Sequence, residues 1–134
     1  MMITGPIKKS RLSARRIAHA NTVITPAVHD FRFAWIPDAI VEVSATGTYA
    51  GRPVVAVSFS GLDYIVGHES DAHLVAQTAR LLQVVATRGN TQWPTIPGTG
   101  PLTPTIHNGH PIWATATGTG TKFCDIGHLF PLAT

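Results

Sequence analysis

Two histidines that flank an Asn-Gly dipeptide are the residues in this sequence best placed to bind one metal ion together. Asn-Gly is the preferred two-residue loop of a type I′ β-hairpin, so His107 and His110 are predicted to lie directly opposite each other. Side chains paired in this way are about 5 Å apart, which allows two imidazoles to share an ion. His107 and His110 are therefore our candidate metal ligands, and zinc is the metal that we weigh for them.

A complete zinc site needs more than two protein ligands, since structural sites have four and catalytic sites have three plus water. Cys124 and His128, spaced C-x3-H, would supply the others if the last strand paired near the hairpin. No C-x2-C pair accompanies them, and exposed turn histidines are the alternative interpretation. We therefore expect the protein to fold and function without a cofactor.

A second pair of histidines lies in the segment His-Glu-Ser-Asp-Ala-His at residues 68–73. The two histidines are five positions apart, not four as in the metalloprotease motif H-E-x-x-H. On a helix, five residues turn the chain by about 500°, so the two rings would diverge by about 140°. Ser70 is a good N-cap, which places His68 before the helix. Glu69 and Asp71 are interpreted as partners of the positive end of the helix dipole.

Cys124 is the only cysteine, which excludes an intramolecular disulfide framework and indicates a reducing compartment, so we expect a cytoplasmic protein. As a nucleophile Cys124 would need a histidine within hydrogen-bond distance. Its place in an alternating strand predicts instead a small, buried, apolar residue. The sequence has no Walker A loop, no G-x-G-x-x-G after a strand and no G-x-S-x-G. These observations favour a protein that is not an enzyme.

Positive charge is concentrated at the N-terminus. The rest of the chain has five basic residues against seven acidic ones, a net charge of −2, and no acidic residue precedes Asp30. We predict that residues 1–20 form a basic arm that contacts the phosphates of nucleic acid or another polyanion. A solvated terminus, or pairing with acidic residues of a neighbouring subunit, are the alternatives. The predicted contacts are Lys8, Lys9, Arg11, Arg15 and Arg16.

The composition bounds the rest of the molecule. A length of 134 residues fits one domain, which we assign to residues 21–134. Only 13% of the residues are charged, against about 25% in a typical domain. Copies of such a protein repel each other weakly, so we expect a homo-oligomer. No apolar run approaches the length of about 18 residues that a membrane span needs, and we expect no membrane partner.

Alternation of apolar and polar residues predicts several strands. The alternating segments are residues 31–35, 39–49, 54–59, 62–66, 112–117 and 122–126. Gly, Arg and Pro at residues 51–53 predict a tight turn, and therefore an antiparallel hairpin between two of these strands. Residues 91–104 contain four prolines and two glycines, and we interpret them as a long extended loop.

One long helix is predicted from Ser70 to Arg88, with Gly89 ending it. A short helix over residues 7–20 is an alternative for the arm. The apolar stripe of the long helix follows a 3.6-residue period and consists of Leu74, Val75, Thr78, Leu81, Leu82 and Val85.

Together these elements predict an α+β fold, in which an antiparallel sheet of five or six strands has one long helix packed on one face and a basic N-terminal arm. The expected function is that of a non-enzymatic binding or self-assembling structural protein, whose arm contacts nucleic acid or another polyanion. A small metal-dependent or Cys/His enzyme is one alternative. A small-molecule-binding domain with its ligand between helix and sheet is the other.

Overall fold

Two helices and two antiparallel sheets make up the part of the chain that the computed structural model describes, namely residues 13–34, 40–86, 93–115 and 121–129. The predicted α+β class and antiparallel strands are confirmed. The prediction of one sheet of five or six strands with a single helix is wrong. The elements are α1 (Ser13–Ala34), β1 (Val41–Tyr49), β2 (Arg52–Phe59), β3 (Leu62–Gly67), α2 (Asp71–Ala86), β4 (Thr95–Ile96), β5 (Gly100–His107), β6 (His110–Thr115) and β7 (Lys122–Asp125).

The first sheet has the order β1-β2-β3 and the second the order β4-β5-β6-β7. Three of the hairpins turn through two residues, at positions 50–51, 60–61 and 108–109. In each of these turns both residues have positive φ, which is the type I′ conformation. The second residue is a glycine every time, because glycine adopts positive φ without steric cost. These local turns set the register of the β1–β2, β2–β3 and β5–β6 pairs next to each turn.

Over residues 31–34 the helix α1 stands where the sequence predicts a strand for residues 31–35, and residue 35 lies outside the described residues. Ala20, Ile24, Ala27 and Phe31 follow each other at helical spacing and are all buried, which gives α1 one continuous apolar stripe. Pro26 lies inside this helix, and a proline normally ends or kinks a helix. Burial of the stripe outweighs that local preference, so the alternation at residues 31–33 does not produce a strand.

The Pro-rich segment is also more ordered than its composition predicts. The predicted loop over residues 91–104 contains β4 and the first half of β5. Pro101 and Pro104 are both paired residues of β5. Beyond Pro101, β5 pairs with β6 on one side and has no β4 partner on the other. Proline has no backbone N–H to donate. Where that position faces a free edge of the sheet, a proline therefore removes no hydrogen bond between strands.

The helix α2 confirms the prediction made from its apolar stripe. Ser70 caps it, with its Oγ accepting the backbone N–H of His73 at 3.1 Å. Leu74 and Leu82 are fully buried, and α2 contacts α1, β3, β5 and β6. It therefore lies between the two sheets. Within the described ranges neither helix is long and apolar enough to cross a membrane.

Four aromatic side chains form the centre of the core. The ring of Phe31 meets those of Phe59 and Trp93 edge to face, at centroid distances of 5.7 and 5.5 Å. Trp93 meets Trp113 in the same way at 5.4 Å. Such T-shaped pairs place the positive edge of one ring against the negative face of the next. The chain of rings connects α1, the first sheet and the second sheet.

A buried carboxylate ties the C-terminal segment to α1. Asp30 is only 1% exposed. Its Oδ2 accepts the indole N–H of Trp113 at 2.8 Å and the backbone N–H of Gly127 at 2.7 Å. Its Oδ1 accepts the backbone N–H of Leu129 at 3.2 Å. A buried carboxylate with three donors is well satisfied, so Asp30 fixes the position of residues 127–129 against the helix.

The side chain of Asn21 joins α1 to the outer edge of the first sheet. Its Oδ1 accepts the backbone N–H of Val43 at 2.8 Å, and its Nδ2 donates to the carbonyl of the same residue at 3.3 Å. The pairing of β1 with β2 is irregular between Val43 and Ala45, as in a β-bulge. The amide thus satisfies both backbone groups of an edge residue where the strand bends.

Candidate anion-binding pocket

A pocket of about 570 Å³ lies where the start of α1 meets the loop before α2 and the ends of β1 and β2. Its volume is within the range of about 300–1,000 Å³ that small-ligand sites occupy. The residues that line it are Arg15, Arg16, His19, Thr46, Gly47, Pro53, Val54 and His68.

The cationic side of the pocket comes from the first two turns of α1. Arg15 and His19 are four residues apart and share one face of the helix. Arg16 follows on the neighbouring face and also lines the pocket. The first turn of α1 contains no acidic residue, so the positive end of its macrodipole adds to these charges. This end of α1 is therefore suited to an anion.

His19 and His68 share the carboxylate of Asp71. The Nε2 of His19 lies 3.0 Å from Oδ2 of Asp71, and the Nε2 of His68 lies 2.8 Å from Oδ1. The two imidazole rings are stacked, with centroids 6.5 Å apart and planes inclined by 17°. This His-Asp-His cluster, defined as His19, His68 and Asp71, connects the start of α1 with the start of α2.

The cluster keeps Asp71 ionised. The hydrogen bond from His68 lowers the pKa of Asp71 most, the hydrogen bond from His19 lowers it further, and partial burial opposes both. Asp71 is also the first residue of α2, where the helix dipole favours a negative charge. The prediction that Asp71 interacts with this dipole stands, and its two histidine partners add to it.

Strand ends form the uncharged wall of the pocket. This wall consists of Thr46 and Gly47 from β1 and Pro53 and Val54 from β2. Thr46 is 5% exposed, and its hydroxyl has no hydrogen-bond partner among the described residues. A wall of this kind accommodates a ligand that combines an apolar part with an anionic group.

The charged residues next to the pocket neutralise each other. Arg52 and Glu69 form an exposed ion pair with an N–O distance of 3.2 Å. Exposed pairs of this type contribute little to stability. Because Glu69 is engaged with Arg52, the charge of the pocket is determined by its own two arginines and by the His-Asp-His cluster.

Two of the five predicted arm contacts reach this pocket, namely Arg15 and Arg16. Lys8, Lys9 and Arg11 lie outside the described residues. Sequence reasoning did not identify His19, and it did not connect His68 with Asp71. The spacing of His68 and Asp71 across the N-cap of α2 was a usable local signal, whereas His19 lies 52 positions from Asp71.

The two candidate metal ligands face each other as predicted. His107 and His110 are directly paired across the β5–β6 hairpin, and both are exposed. Nowhere in residues 13–34, 40–86, 93–115 and 121–129 do three or more His, Cys, Asp or Glu side chains form a group that could hold a metal ion. Metal binding by the histidine pair alone stays a prediction.

Cys124 is confirmed as a buried residue. It is 8% exposed and pairs in register with Trp113. Burial, together with the negative charges of Asp30 and Asp125, raises the pKa of its thiol to about 11. The thiol is therefore protonated at neutral pH, whereas a nucleophilic cysteine reacts as the thiolate.

Comparison with known proteins gives no relative from which a function could be transferred. No protein-family model, no curated protein and no solved structure matches this chain. The geometry of the pocket is thus the basis for a functional proposal.

Proposed function

We propose that this protein is a non-enzymatic binding protein that takes nucleic acid or another phosphate-bearing polyanion at its N-terminal side. The observation that supports this most directly is the lining of one pocket by Arg15, Arg16, His19 and His68. The basic residues before α1 continue the same charge along the sequence. The pocket and the basic segment together would contact successive phosphates.

The chemistry of these side chains suits phosphate. An arginine presents several N–H donors in a planar fork that can bind two phosphate oxygens at once. Neutral imidazoles add further donors or acceptors, and protonated ones add charge. Because Arg15, Arg16 and His19 are exposed, their attraction for phosphate is screened by salt. The expected binding is therefore salt-dependent and indifferent to base sequence.

Titration of a labelled duplex oligonucleotide by fluorescence anisotropy, at several salt concentrations, tests this proposal. Replacing both Arg15 and Arg16 by Gln should weaken binding and reduce the slope of log K against log salt by about 2, since each phosphate contact contributes about 0.9. Arg80→Gln, an exposed arginine on α2 that does not line the pocket, is the matched control. An unchanged slope in the double variant would overturn the proposal.

Binding of a single small molecule is the closest competing function, since the pocket has the volume of one ligand. A mononucleotide offered in place of the duplex separates the two. Equal affinity for both would favour a small-molecule site. A large excess of affinity for the duplex would favour the polyanion.

Self-association is a second candidate function. Ile40 is 73% exposed and Leu62 39% exposed. They lie at the same end of the first sheet, because Val41 pairs with Phe59 and Phe59 pairs with Leu62. The positive N-terminus and the negative remainder of the chain are complementary between two copies.

Sedimentation of the intact protein at several concentrations tests self-association. The double variant Ile40→Asp and Leu62→Asp should shift the equilibrium to the monomer. Val84→Asp, a substitution on the exposed side of α2, provides a comparison at another exposed apolar residue. A single species of 14.3 kDa at all concentrations would exclude self-association.

A further inference from the structure

The His-Asp-His cluster places two imidazoles and one carboxylate at the edge of the pocket. Asp71 uses one carboxylate oxygen for His19 and the other for His68. Both histidines also line the pocket. Imidazole is the side chain whose charge changes between about pH 5 and 8. An anion in the pocket would therefore lie next to two imidazoles that share one carboxylate.

We propose that His19 and His68 take up protons when a phosphate group enters the pocket, so that binding strengthens as the pH falls. This inference rests on the proposed function and adds its regulation. With both imidazoles neutral, Arg15, Arg16 and Asp71 give the pocket a net charge of +1. With both imidazoles protonated, the same groups give +3.

The stacked arrangement of the rings explains why an anion matters for this uptake. Two imidazolium rings with centroids 6.5 Å apart repel each other. One carboxylate, already bonded to both, offsets part of that repulsion. A phosphate placed among the same groups offsets more of it. Protonation and anion binding are therefore coupled, and each favours the other.

The remaining charged groups around the cluster do not cancel the coupling between protonation and anion binding. From α1 the cluster faces Arg15 and Arg16, and the strand wall of the pocket contains no charged side chain among its described members. Glu69, next to His68 in the chain, is paired with Arg52.

His73 is a further histidine of this region. Its Nδ1 is buried without a hydrogen-bond partner in the described part of the chain, and its ring packs against Gly67. His73 is not among the residues that line the pocket, so it does not belong to the set of groups that a ligand there would contact.

The ligand used to test this coupling must not titrate itself. A terminal phosphate monoester has its second pKa near 6 and would change its own charge in the same range. A duplex oligonucleotide without terminal phosphates contains only phosphodiesters. Protons taken up on binding such a duplex are supplied by the buffer and are bound by groups of the protein, not by the duplex.

Calorimetric titration of the intact protein with this duplex, at pH 6.5 in two buffers of different ionisation enthalpy, counts the protons taken up. We expect an uptake of up to about two protons per duplex bound. By linkage, log K should then rise by the same number, up to about two, for each unit that the pH falls. His19→Gln and His68→Gln should each reduce the uptake. His29→Gln, at an exposed position of α1 that is not among the residues lining this pocket, should leave it unchanged.

Asp71→Asn separates electrostatics from a structural role of the cluster. It removes a negative charge from the pocket edge, so binding at pH 8 should become several-fold tighter, whereas a loss of structure would weaken it. Binding of the wild type that does not change between pH 5.5 and 8 would overturn the coupling and leave the proposed function intact. Absence of binding at every pH would overturn both.

Discussion

The indole N–H of Trp113 donates to the carboxylate of Asp30 across a gap of 83 positions in the sequence, at a distance of 2.8 Å. Trp113 is completely buried, and Asp30 is buried with it. The same carboxylate accepts two backbone N–H groups from residues 127 and 129. One side chain of α1 thus fixes both a strand of the second sheet and the segment that follows the last strand.

Replacing Asp30 with Ala should lower the free energy of unfolding by about 3–5 kcal/mol, because two buried donors and one part-buried donor lose their acceptor. Urea unfolding measures this loss. Asp63→Ala, at an exposed position of β3, should cost less than about 0.5 kcal/mol. Equal effects of the two substitutions would contradict the structural role of Asp30.

Replacing Leu82 with Ala should cost about 2–5 kcal/mol, since Leu82 is fully buried between the sheets. Gln77→Ala, on the exposed face of α2, should have almost no effect in the same unfolding experiment. Gln83 is less dispensable than its polarity predicts, because its Nε2 donates to the carbonyl of Leu102. A cost near 1 kcal/mol is expected for Gln83→Ala.

The thiol of Cys124 should react slowly with an alkylating reagent at pH 8, because its pKa is raised to about 11 and its side chain is buried. Unfolding in urea should make the reaction fast. Mass spectrometry of the labelled chain follows both rates, and Cys124→Ala gives the background. Rapid labelling of the folded protein would contradict this prediction and support a nucleophilic role for Cys124.

The contribution of Asp71 to stability should disappear at acid pH. Its pKa is lower in the folded protein than the ordinary value of 3.8, so the folded state favours the carboxylate. The resulting stabilisation is complete above the unfolded pKa and is lost as the pH falls through the folded one. The difference in unfolding free energy between wild type and Asp71→Asn should therefore shrink below about pH 4. A difference that persists at pH 2 would contradict the assignment.

Deleting residues 1–12 should leave the described fold intact, because α1 begins at Ser13. It removes Lys8, Lys9 and Arg11. The five predicted contacts together give a slope of log K against log salt of at most about 4–5 in magnitude. If all three deleted residues contact phosphates, this slope should become smaller by about 3. Circular dichroism checks the fold. Unchanged affinity would show that these three residues are not contacts.

Local patterns predicted the parts of the fold that local contacts determine. The stripe of α2 and the alternation in β1, β2 and β3 each appear within a short window of sequence. The Asn-Gly turn likewise placed His107 opposite His110. In α1, Pro26 and the alternation around Phe31 both argue locally against a helix. This segment is helical because its apolar stripe packs against residues that are distant in the sequence. The division into two sheets depends on the same kind of long-range packing.

The candidate site was predictable to the same limited extent. Arg15 and Arg16 were identified from charge alone. His19 and Asp71 could not be paired from the sequence, because the folding of three intervening strands brings them together. Asp30 had one overlooked signal, namely its position on the helical stripe between Ala27 and Phe31.

The bond between Asn21 and Val43 restricts how copies of this chain can combine. An edge strand with free N–H and C=O groups recruits strands from other molecules, which leads to domain swapping or fibrils. On β1 both groups of Val43 are already taken by the Asn21 amide. An incoming strand would have to displace that amide to pair with Val43, so α1 opposes strand addition at this part of β1.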